Sequence, residues 1–551
     1  MENIIHIFSY NEGEPMIFTR FFFWGFFAVV LFFYSLVYKK RGLRNAYLFF
    51  ISLFFYYKTS GLFISILLFS TLSDFILGQL IHGSKKQLMK QIFVATSIFI
   101  NLFVLSYFKY AYFFTESFNE FFQTNFEVFN HFAQWTNDNA GTHFEVNKIL
   151  LPVGISFYTF QTISYSIDVY RKHITPVRNI LDFGFYVSFF PQLVAGPIVR
   201  AADFIPQLYK PYKLTQHQFG LALFWILKGL SKKVIIGDYI AVNFIDRVFD
   251  NPTMFTGFEN LMALYGYSLQ VYADFSGYTD IAIGVALLMG FTLPVNFNSP
   301  YKAKNVGEFW KRWHISLSSW LKDYLYIPLG GNRGGSAGTW IALGFIIGFV
   351  VLLSGKMIVL YAILGVVAMA LLLALWLKPF RSWLITNINL LITMLLGGLW
   401  HGASWQFVIW GGLNGLGIIV YKLWRKISPY EKFNNILSVV LKIFITFNFI
   451  TFTRIWFRAE NMESTWQIID QIYHNFSPEL IPQILSSYSN VFMVMLIGYV
   501  IHWLPVKVKD WYRETFISFP LLVKIVLSSV VIFGVYQAMS SELQAFIYFQ
   551  F

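Results

Sequence analysis

The sequence contains no cysteine, and only 13% of its 551 residues are charged. The absence of cysteine excludes disulfides, a cysteine nucleophile and thiolate metal ligands. Soluble domains carry about 25% charged residues, so the low charge argues against a string of soluble domains. Hydrophobic residues make up 56% of the chain, and mostly apolar runs recur throughout it, many of them close to the roughly 20 residues that cross a bilayer. The composition therefore predicts a polytopic membrane protein.

The formal net charge of +13 does not indicate a nucleic-acid-binding protein, because the basic residues stand in short clusters between apolar runs. Such clusters mark cytoplasmic loops. Basic residues at 39–44 follow the first apolar run, and others at 507–513 precede the last one. We therefore expect a multi-pass membrane protein, with both termini outside the cytoplasm and one helical domain over residues 1–551.

Several apolar runs are too short to cross a membrane alone. These runs predict re-entrant or buried helices, since irregular backbone is tolerated at membrane depth only inside protein. Prolines and glycines in 151–171 and 189–200 predict broken helices there. The expected fold is an all-α bundle of about 11–13 transmembrane helices with additional re-entrant and interfacial helices.

His401 is the first candidate for chemistry. It stands in the sequence GGLWHGASW (397–405), and about fourteen apolar residues precede it and follow it. This pattern predicts a segment that enters the membrane and returns, with His401 deep in the protein. An ionisable residue at membrane depth indicates function, and imidazole is suited to act as a general base. The alternative is a structural histidine bonded to a backbone carbonyl.

His314 is the second candidate, in the segment 307–333. Aromatic and leucine residues recur there every three or four positions, which predicts one interfacial or re-entrant amphipathic helix. Its basic face would hold a phosphate-bearing donor, with His314 at the edge of the site. The alternative is an ordinary interfacial helix.

Two further segments carry polar groups among apolar ones. Asp274 and Asp280 lie in an otherwise apolar helix; they either orient a histidine or bind the donor, or are structural acids bonded to Tyr, Ser or Thr neighbours. The tail 537–551 ends in FIYFQF, where Tyr548 offers a phenol. That tail is either an extracytoplasmic segment that enters a pore or an interfacial aromatic anchor.

Together these segments resemble the membrane-bound O-acyltransferase superfamily, in its bacterial alginate O-acetyltransferase branch. The resemblance is carried by the run Phe309–Arg333, the LWHG core at 399–402 and AGPI at 195–198. It implies a helical bundle around a central tunnel, with His401 as the principal catalytic residue and His314 as a second essential position. The sibling D-alanyl transferases usually lack the run 326–333, which favours acetyl as the acyl group.

The ending FIYFQF is similar to the C-terminal motif of a companion peptide in the D-alanylation machinery. This similarity implies that Tyr548 carries the acyl group in transit. The expected donor is cytoplasmic acetyl-CoA, and no metal is expected. The expected partner is an extracytoplasmic serine acyltransferase of the SGNH type, which would pass the group to an envelope polysaccharide. Basic residues near the inner mouth would attract the CoA phosphates, namely Lys302, Lys304, Lys311, Arg312 and Arg333.

Three alternatives remain open from the sequence. The first is a D-alanyl or other acyl transferase of a teichoic-acid-type system. The second is direct acylation of a lipid or glycan, with Tyr548 as an anchor only. The third is a non-enzymatic transporter, because broken helices and intramembrane acids also occur in transporters.

Overall fold

The computed structural model describes residues 9–11, 15–140, 145–194, 196–354 and 357–538. Tyr548, together with the tail from residue 539 onward, and Ala195 of the AGPI motif lie outside these residues. Within the described ranges the chain forms helices and no β-strand, which confirms the all-α class.

Twenty-five α-helices follow one another along the described chain. They are α1 (Phe21–Val37), α2 (Arg41–Ser60), α3 (Ile64–Gly83), α4 (Gln87–Leu105), α5 (Ala111–Phe122), α6 (His131–Ala140), α7 (Ile155–Tyr170), α8 (Ile180–Ser188), α9 (Phe190–Leu193), α10 (Ala201–Leu208), α11 (Gln216–Leu230), α12 (Asp246–Asp250), α13 (Gly257–Leu288), α14 (Val306–Arg312), α15 (Ile315–Leu321), α16 (Ala337–Ser354), α17 (Met357–Trp376), α18 (Lys378–His401), α19 (Trp405–Ile427), α20 (Ile436–Arg458), α21 (Met462–His474), α22 (Ile481–Ser487), α23 (Ser489–Trp503), α24 (Val506–Ser518) and α25 (Leu521–Ala538). Turns of π-helix occupy Ser106–Tyr110, Ser231–Asp238, Ala241–Ile245 and Lys322–Tyr326. Short 3₁₀ turns occupy Gly61–Phe63, Pro252–Met254, Pro300–Lys302, Pro429–Lys432 and Pro478–Leu480.

Fewer helices are long and apolar enough to cross a membrane than the 11–13 that the sequence predicted. Six spans meet both conditions in the described residues, or seven if the bent pair Pro478–Ser487 and Ser489–Trp503 is one span. Most of the other helices are shorter or more polar. The 32-residue α13, for example, carries Asp274 and Asp280, and α9 has only four residues. Large exposed hydrophobic side chains cover the outer helices, as expected for surfaces that face lipid.

The chain divides into two compact units. The first comprises Met1–Asn101, Val153–Leu317 and Lys432–Phe551, and the second comprises Leu102–Pro152 and Ser318–Glu431.

Helix α13 is the core of the first unit, and most of its residues are buried. Its small residues lie against α11 without room for a side chain. A Cβ at Gly277 would come within 2.7 Å of the Gly229 carbonyl oxygen, and one at Gly284 within 2.6 Å of that of Ala222. Small residues allow such close backbone approach, which is the usual way that membrane helices associate.

Helices α18 and α19 form the core of the second unit, and they cross closely. A Cβ on Gly398 would lie 2.2 Å from the Phe407 carbonyl oxygen, and one on Gly411 would lie 2.3 Å from that of Met394. Only glycine fits at these two positions. The crossing fixes the ends of the two helices, and His401 is at the end of α18.

Candidate active site

His401 is a buried residue, 2% exposed, and it is the last residue of α18. The sequence predicted that the chain enters the membrane half-way and returns. That prediction of the path is wrong, because α18 has 24 residues and α19 has 23. At 1.5 Å per residue each helix is about 35 Å long, which is enough to cross the hydrocarbon core. His401 therefore lies at the junction of two helices of full length.

Aromatic rings hold the His401 imidazole edge-on. Its ring centroid lies 5.0 Å from that of Trp400, at 81°, and 5.0 Å from that of Trp410, at 85°. After His401 the backbone extends through Gly402, where a Cβ would come within 2.0 Å of the Phe407 ring. The two tryptophans pack against the imidazole, and glycine at residue 402 allows the Phe407 ring to approach the backbone. Together these contacts restrict the position of the imidazole.

Lys109 and Tyr110 bind the backbone carbonyls at the end of α18. The Lys109 amine donates to the carbonyls of Trp400 at 2.7 Å and of His401 at 3.2 Å. The Tyr110 hydroxyl donates to the Leu399 carbonyl at 2.9 Å. The last carbonyls of a helix have no partner within the helix, and a cation there is also favoured by the helix dipole. These contacts therefore fix the helix end that carries His401.

His314 belongs to the first unit, where it is completely buried. The sequence predicted one amphipathic helix through 307–333, and this is wrong. The structure has two short helices, α14 and α15, and the break between them is at His314, whose φ is +44°. A non-glycine residue in the left-handed region costs about 1–3 kcal/mol and is frequent at functional sites.

The Asn296 side chain determines the protonation of His314. Its Oδ1 atom accepts the backbone N–H of Ser316 at 3.1 Å, so this atom is the oxygen of the amide. The same oxygen is 3.2 Å from His314 Nδ1, so Nδ1 carries the proton and donates it. Burial lowers the pKa of His314 to about 3. The ring is therefore neutral, and Nε2 carries the lone pair that a base needs.

The AGPI segment at 195–198 contacts the His314 segment through Ile198. The Ser316 hydroxyl donates to Asn296 Oδ1 at 2.9 Å and accepts the backbone N–H of Ile198 at 3.0 Å. The Phe275 ring of α13 lies 4.7 Å from the His314 ring, at 85°. Three segments that the sequence analysis singled out therefore meet around His314.

The family model for membrane-bound O-acyltransferases matches residues 171–382. A peptidoglycan O-acetyltransferase of Helicobacter pylori is 34% identical over 444 residues, which are 76% of this chain and 71% of that protein. The chain belongs to the membrane-bound O-acyltransferase family. A probable alginate O-acetylase of Pseudomonas aeruginosa is 37% identical over 379 residues, which are 68% of this chain and 59% of that protein. A teichoic acid D-alanyltransferase of Bacillus subtilis is 29% identical over 322 residues, which are 56% of this chain and 69% of that protein.

Family membership makes this chain a membrane acyltransferase and decides against the transporter alternative. In such an enzyme a buried neutral imidazole can take a proton from an attacking hydroxyl. Among the described residues no group of three or more His, Cys, Asp or Glu side chains suits a metal ion.

The five basic residues predicted to bind the donor lie in different surroundings. The Lys302 amine is half-buried and donates to the Leu504 carbonyl at 2.5 Å. Arg312 forms an ion pair with Glu308 at 2.7 Å. Lys304, Lys311 and Arg333 are exposed, and Arg333 belongs to the second unit.

Asp274 and Asp280 are ion-paired with lysines. Asp280 Oδ2 lies 2.8 Å from the Lys232 amine and 3.1 Å from that of Lys228. Asp274 pairs with Lys233, which also binds Asp238 at 2.7 Å. The structural interpretation of both acids is thus supported, with lysines among their partners.

Sequence reasoning missed three residues of these sites. Lys109 interrupts an apolar span, which is a visible signal. Asn296 gives none, because it stands in a loop. Arg454 is 1% exposed, and its guanidinium lies 4.4 Å from the Trp313 ring next to His314. A charged residue this deep in α20 is also a signal of function.

Proposed function

We propose that the protein moves an acetyl group from cytoplasmic acetyl-CoA across a bacterial cytoplasmic membrane, for O-acetylation of an envelope polysaccharide outside. The observation that carries the proposal is a buried histidine at a fixed helix end, in a chain related to peptidoglycan and alginate O-acetylases. The names of those relatives favour acetyl as the group and a polysaccharide as the acceptor. Both termini would lie outside, and the whole chain would act as one domain.

The proposed first step is transfer to Tyr548. His401 takes the phenol proton, the phenolate oxygen attacks the thioester carbonyl carbon, and the carbon–sulfur bond breaks. The proton then passes from His401 to the CoA thiolate. A phenol has a pKa of about 10, so a positioned base is needed, and such a base contributes about 10²–10⁴-fold to the rate. His314 would be a second essential residue.

The proposed second step uses a partner outside the membrane. The acetyl ester of a phenol is an activated donor, so the serine of an SGNH-type enzyme attacks it and the tyrosine is released. That enzyme then acetylates a sugar hydroxyl. Lys302, Lys304, Lys311, Arg312 and Arg333 were predicted to attract the CoA phosphates, and Lys302 is the best supported of them because it lies among other cations.

Mass spectrometry tests the first step. Purified protein is incubated with isotope-labelled acetyl-CoA and digested, and the acetylated peptides are identified. We expect label on Tyr548 in the wild type and in Tyr536→Phe, a control at an exposed tyrosine of α25. His401→Ala and Tyr548→Phe should carry none. A fully active Tyr548→Phe enzyme would instead favour direct acylation.

D-alanyl transfer is the second candidate, because the teichoic acid D-alanyltransferase is a related protein. The same labelling experiment distinguishes the two donors. If the protein is labelled from a D-alanyl carrier protein and not from acetyl-CoA, the carrier protein is the donor. The proposed role of His401 is then unchanged.

A further inference from the structure

Four lysines converge near the C-terminal half of α13 in the first unit; we call Lys228, Lys232, Lys302 and Lys509 the lysine cluster. Lys228 and Lys232 share the Asp280 carboxylate. The Lys509 amine donates to the His502 carbonyl at 2.7 Å and to the Ser299 hydroxyl at 2.9 Å. Lys509 interacts electrostatically with Lys302 and Lys232, and Lys228 with Lys509. Residues from α11, α24 and the 300–302 turn thus meet in one place.

The lysine cluster has too few anions of its own. Among the described residues, Asp280 is the carboxylate paired with it, while Glu308 pairs with Arg312 and Asp510 pairs with Arg513. Burial, together with repulsion from Lys302 and Lys232, lowers the pKa of Lys509 to about 8. Burial and Arg312 lower the pKa of Lys302. An anionic ligand would relieve this repulsion.

His502 adds a buried hydrogen-bond donor beside the lysine cluster. It is 2% exposed, and its Nε2 atom accepts the backbone N–H of Tyr301 at 3.2 Å. In a neutral ring the proton is then on Nδ1, and Nδ1 has no hydrogen-bond partner among the described residues. A buried N–H without an acceptor costs about 1–3 kcal/mol, so a bound acceptor would be favoured there.

The lysine cluster is accessible to a ligand. The side chains of Lys228 and Lys232 are 26% and 15% exposed, and Lys302 and Lys509 are half-buried. The Tyr272 ring packs against His502 at 4.6 Å and lies 5.1 Å from the Lys232 amine. Cations and an N–H donor beside an aromatic ring fit the phosphate groups of a nucleotide.

The lysine cluster lies toward the end of α13 that is expected to face the cytoplasm. Beyond that end, the Met289 carbonyl accepts a hydrogen bond from Tyr34 at 2.7 Å. Tyr34 is near the end of α1, directly before the basic residues 39–44. Basic clusters after a span mark the cytoplasmic side, where an acyl-CoA is available.

We propose that the lysine cluster and His502 bind the phosphate groups of the acyl donor. This inference rests on the proposed function for its ligand, and it changes the residues that bind it. Lys302 is retained, and Lys509, Lys232 and Lys228 are added. The exposed Lys304, Lys311 and Arg333 are left out, and so is Arg312, which pairs with Glu308. Lysine ammonium groups act as point charges toward phosphate, so binding weakens with salt.

The test measures binding and transfer with the full chain in nanodiscs. The donors are acetyl-CoA and S-acetylpantetheine, which has the same thioester and no phosphate. We expect Lys302→Gln and Lys509→Gln each to raise the Kd for acetyl-CoA about tenfold. Transfer from S-acetylpantetheine should stay at the wild-type rate, which also shows that the variants are folded. Lys507→Gln, an exposed neighbour in α24, should behave as wild type, and Lys228→Gln, a change in α11, should repeat the effect.

Each outcome decides the proposal. An unchanged Kd for acetyl-CoA in all three cluster variants overturns it, and so does equal weakening with S-acetylpantetheine. If the wild type does not bind acetyl-CoA, the donor of the proposed function is wrong. Thermal protection by pyrophosphate then decides the phosphate site by itself: protection lost in Lys509→Gln supports the site, and no protection of the wild type overturns it. If thermal protection of the protein depends only on phosphatidylglycerol in the nanodisc, the site binds a lipid head group and not the donor.

Discussion

At the scale of single residues, one amide oxygen controls the state of His314. Asn296 Oδ1 binds the His314 ring and both the backbone N–H and the hydroxyl of Ser316. These three donors are buried, and Asn296 follows α13 in a loop. The protonation of an inferred functional histidine therefore depends on a residue eighteen positions away in the sequence.

We predict that Asn296→Ala destabilises the protein and abolishes activity. Three buried donors lose their acceptor, and each unsatisfied group costs about 1–3 kcal/mol, not additively. The measurement is thermal unfolding in detergent, together with acetyl transfer. Asn298→Ala, at an exposed position two residues on, is the control. Wild-type stability in Asn296→Ala would refute the assignment.

Lys109 fixes the helix end at His401, and we predict that Lys109→Met lowers kcat at least tenfold. Two carbonyls would lose their donor, and a misplaced base is less effective. Lys109→Arg, which keeps the charge and the donors, should recover part of the rate. Steady-state kinetics separate the effects, since a positioning role lowers kcat with little change in KM. Equal loss in both variants would favour a purely structural lysine.

At the scale of helices, the crossing of α18 and α19 depends on two glycines. We predict that Gly398→Ala and Gly411→Ala each destabilise the protein by about 1–3 kcal/mol or more, since a methyl group would overlap a backbone carbonyl. Activity should fall with stability, because the crossing sets the end of α18.

Gly412→Ala is the matched control for this crossing. A Cβ there meets a flexible Leu395 methyl group at 3.2 Å and no backbone atom. Thermal unfolding of the three variants is the measurement. Equal stability of Gly411→Ala and Gly412→Ala would contradict the tight crossing.

At the scale of the whole molecule, the absence of cysteine makes the topology directly testable. A single cysteine at Lys86 should react with a membrane-impermeant maleimide only after the cells are opened, because this basic loop is expected to be cytoplasmic. One at Asp138, in the acidic segment, should react in intact cells. Both positions are exposed. Labelling on the opposite sides would show that the orientation is inverted. The lysine cluster would then face away from the cytoplasmic acyl-CoA.

The sequence by itself determined the membrane class, the all-α fold and the family, because composition and short motifs carry this information. It also selected His314 and His401, since histidines among apolar residues are conspicuous. It did not determine that His314 interrupts a helix, because apolar periodicity continues through residues 309–324 while the Asn296 contacts decide the break. Nor did it predict that α18 and α19 are full-length helices.

Only the tertiary structure brought together residues that are far apart in the chain. Lys109 meets the carbonyl of Trp400, and Lys509 joins Lys302 and Lys232. Such groupings leave no local pattern in the sequence, because these residues form their hydrogen bonds and charge interactions only after the helices pack. Local propensity and hydrophobicity therefore determine which segments become helices, whereas long-range hydrogen bonds and charge pairs decide which polar groups form the sites.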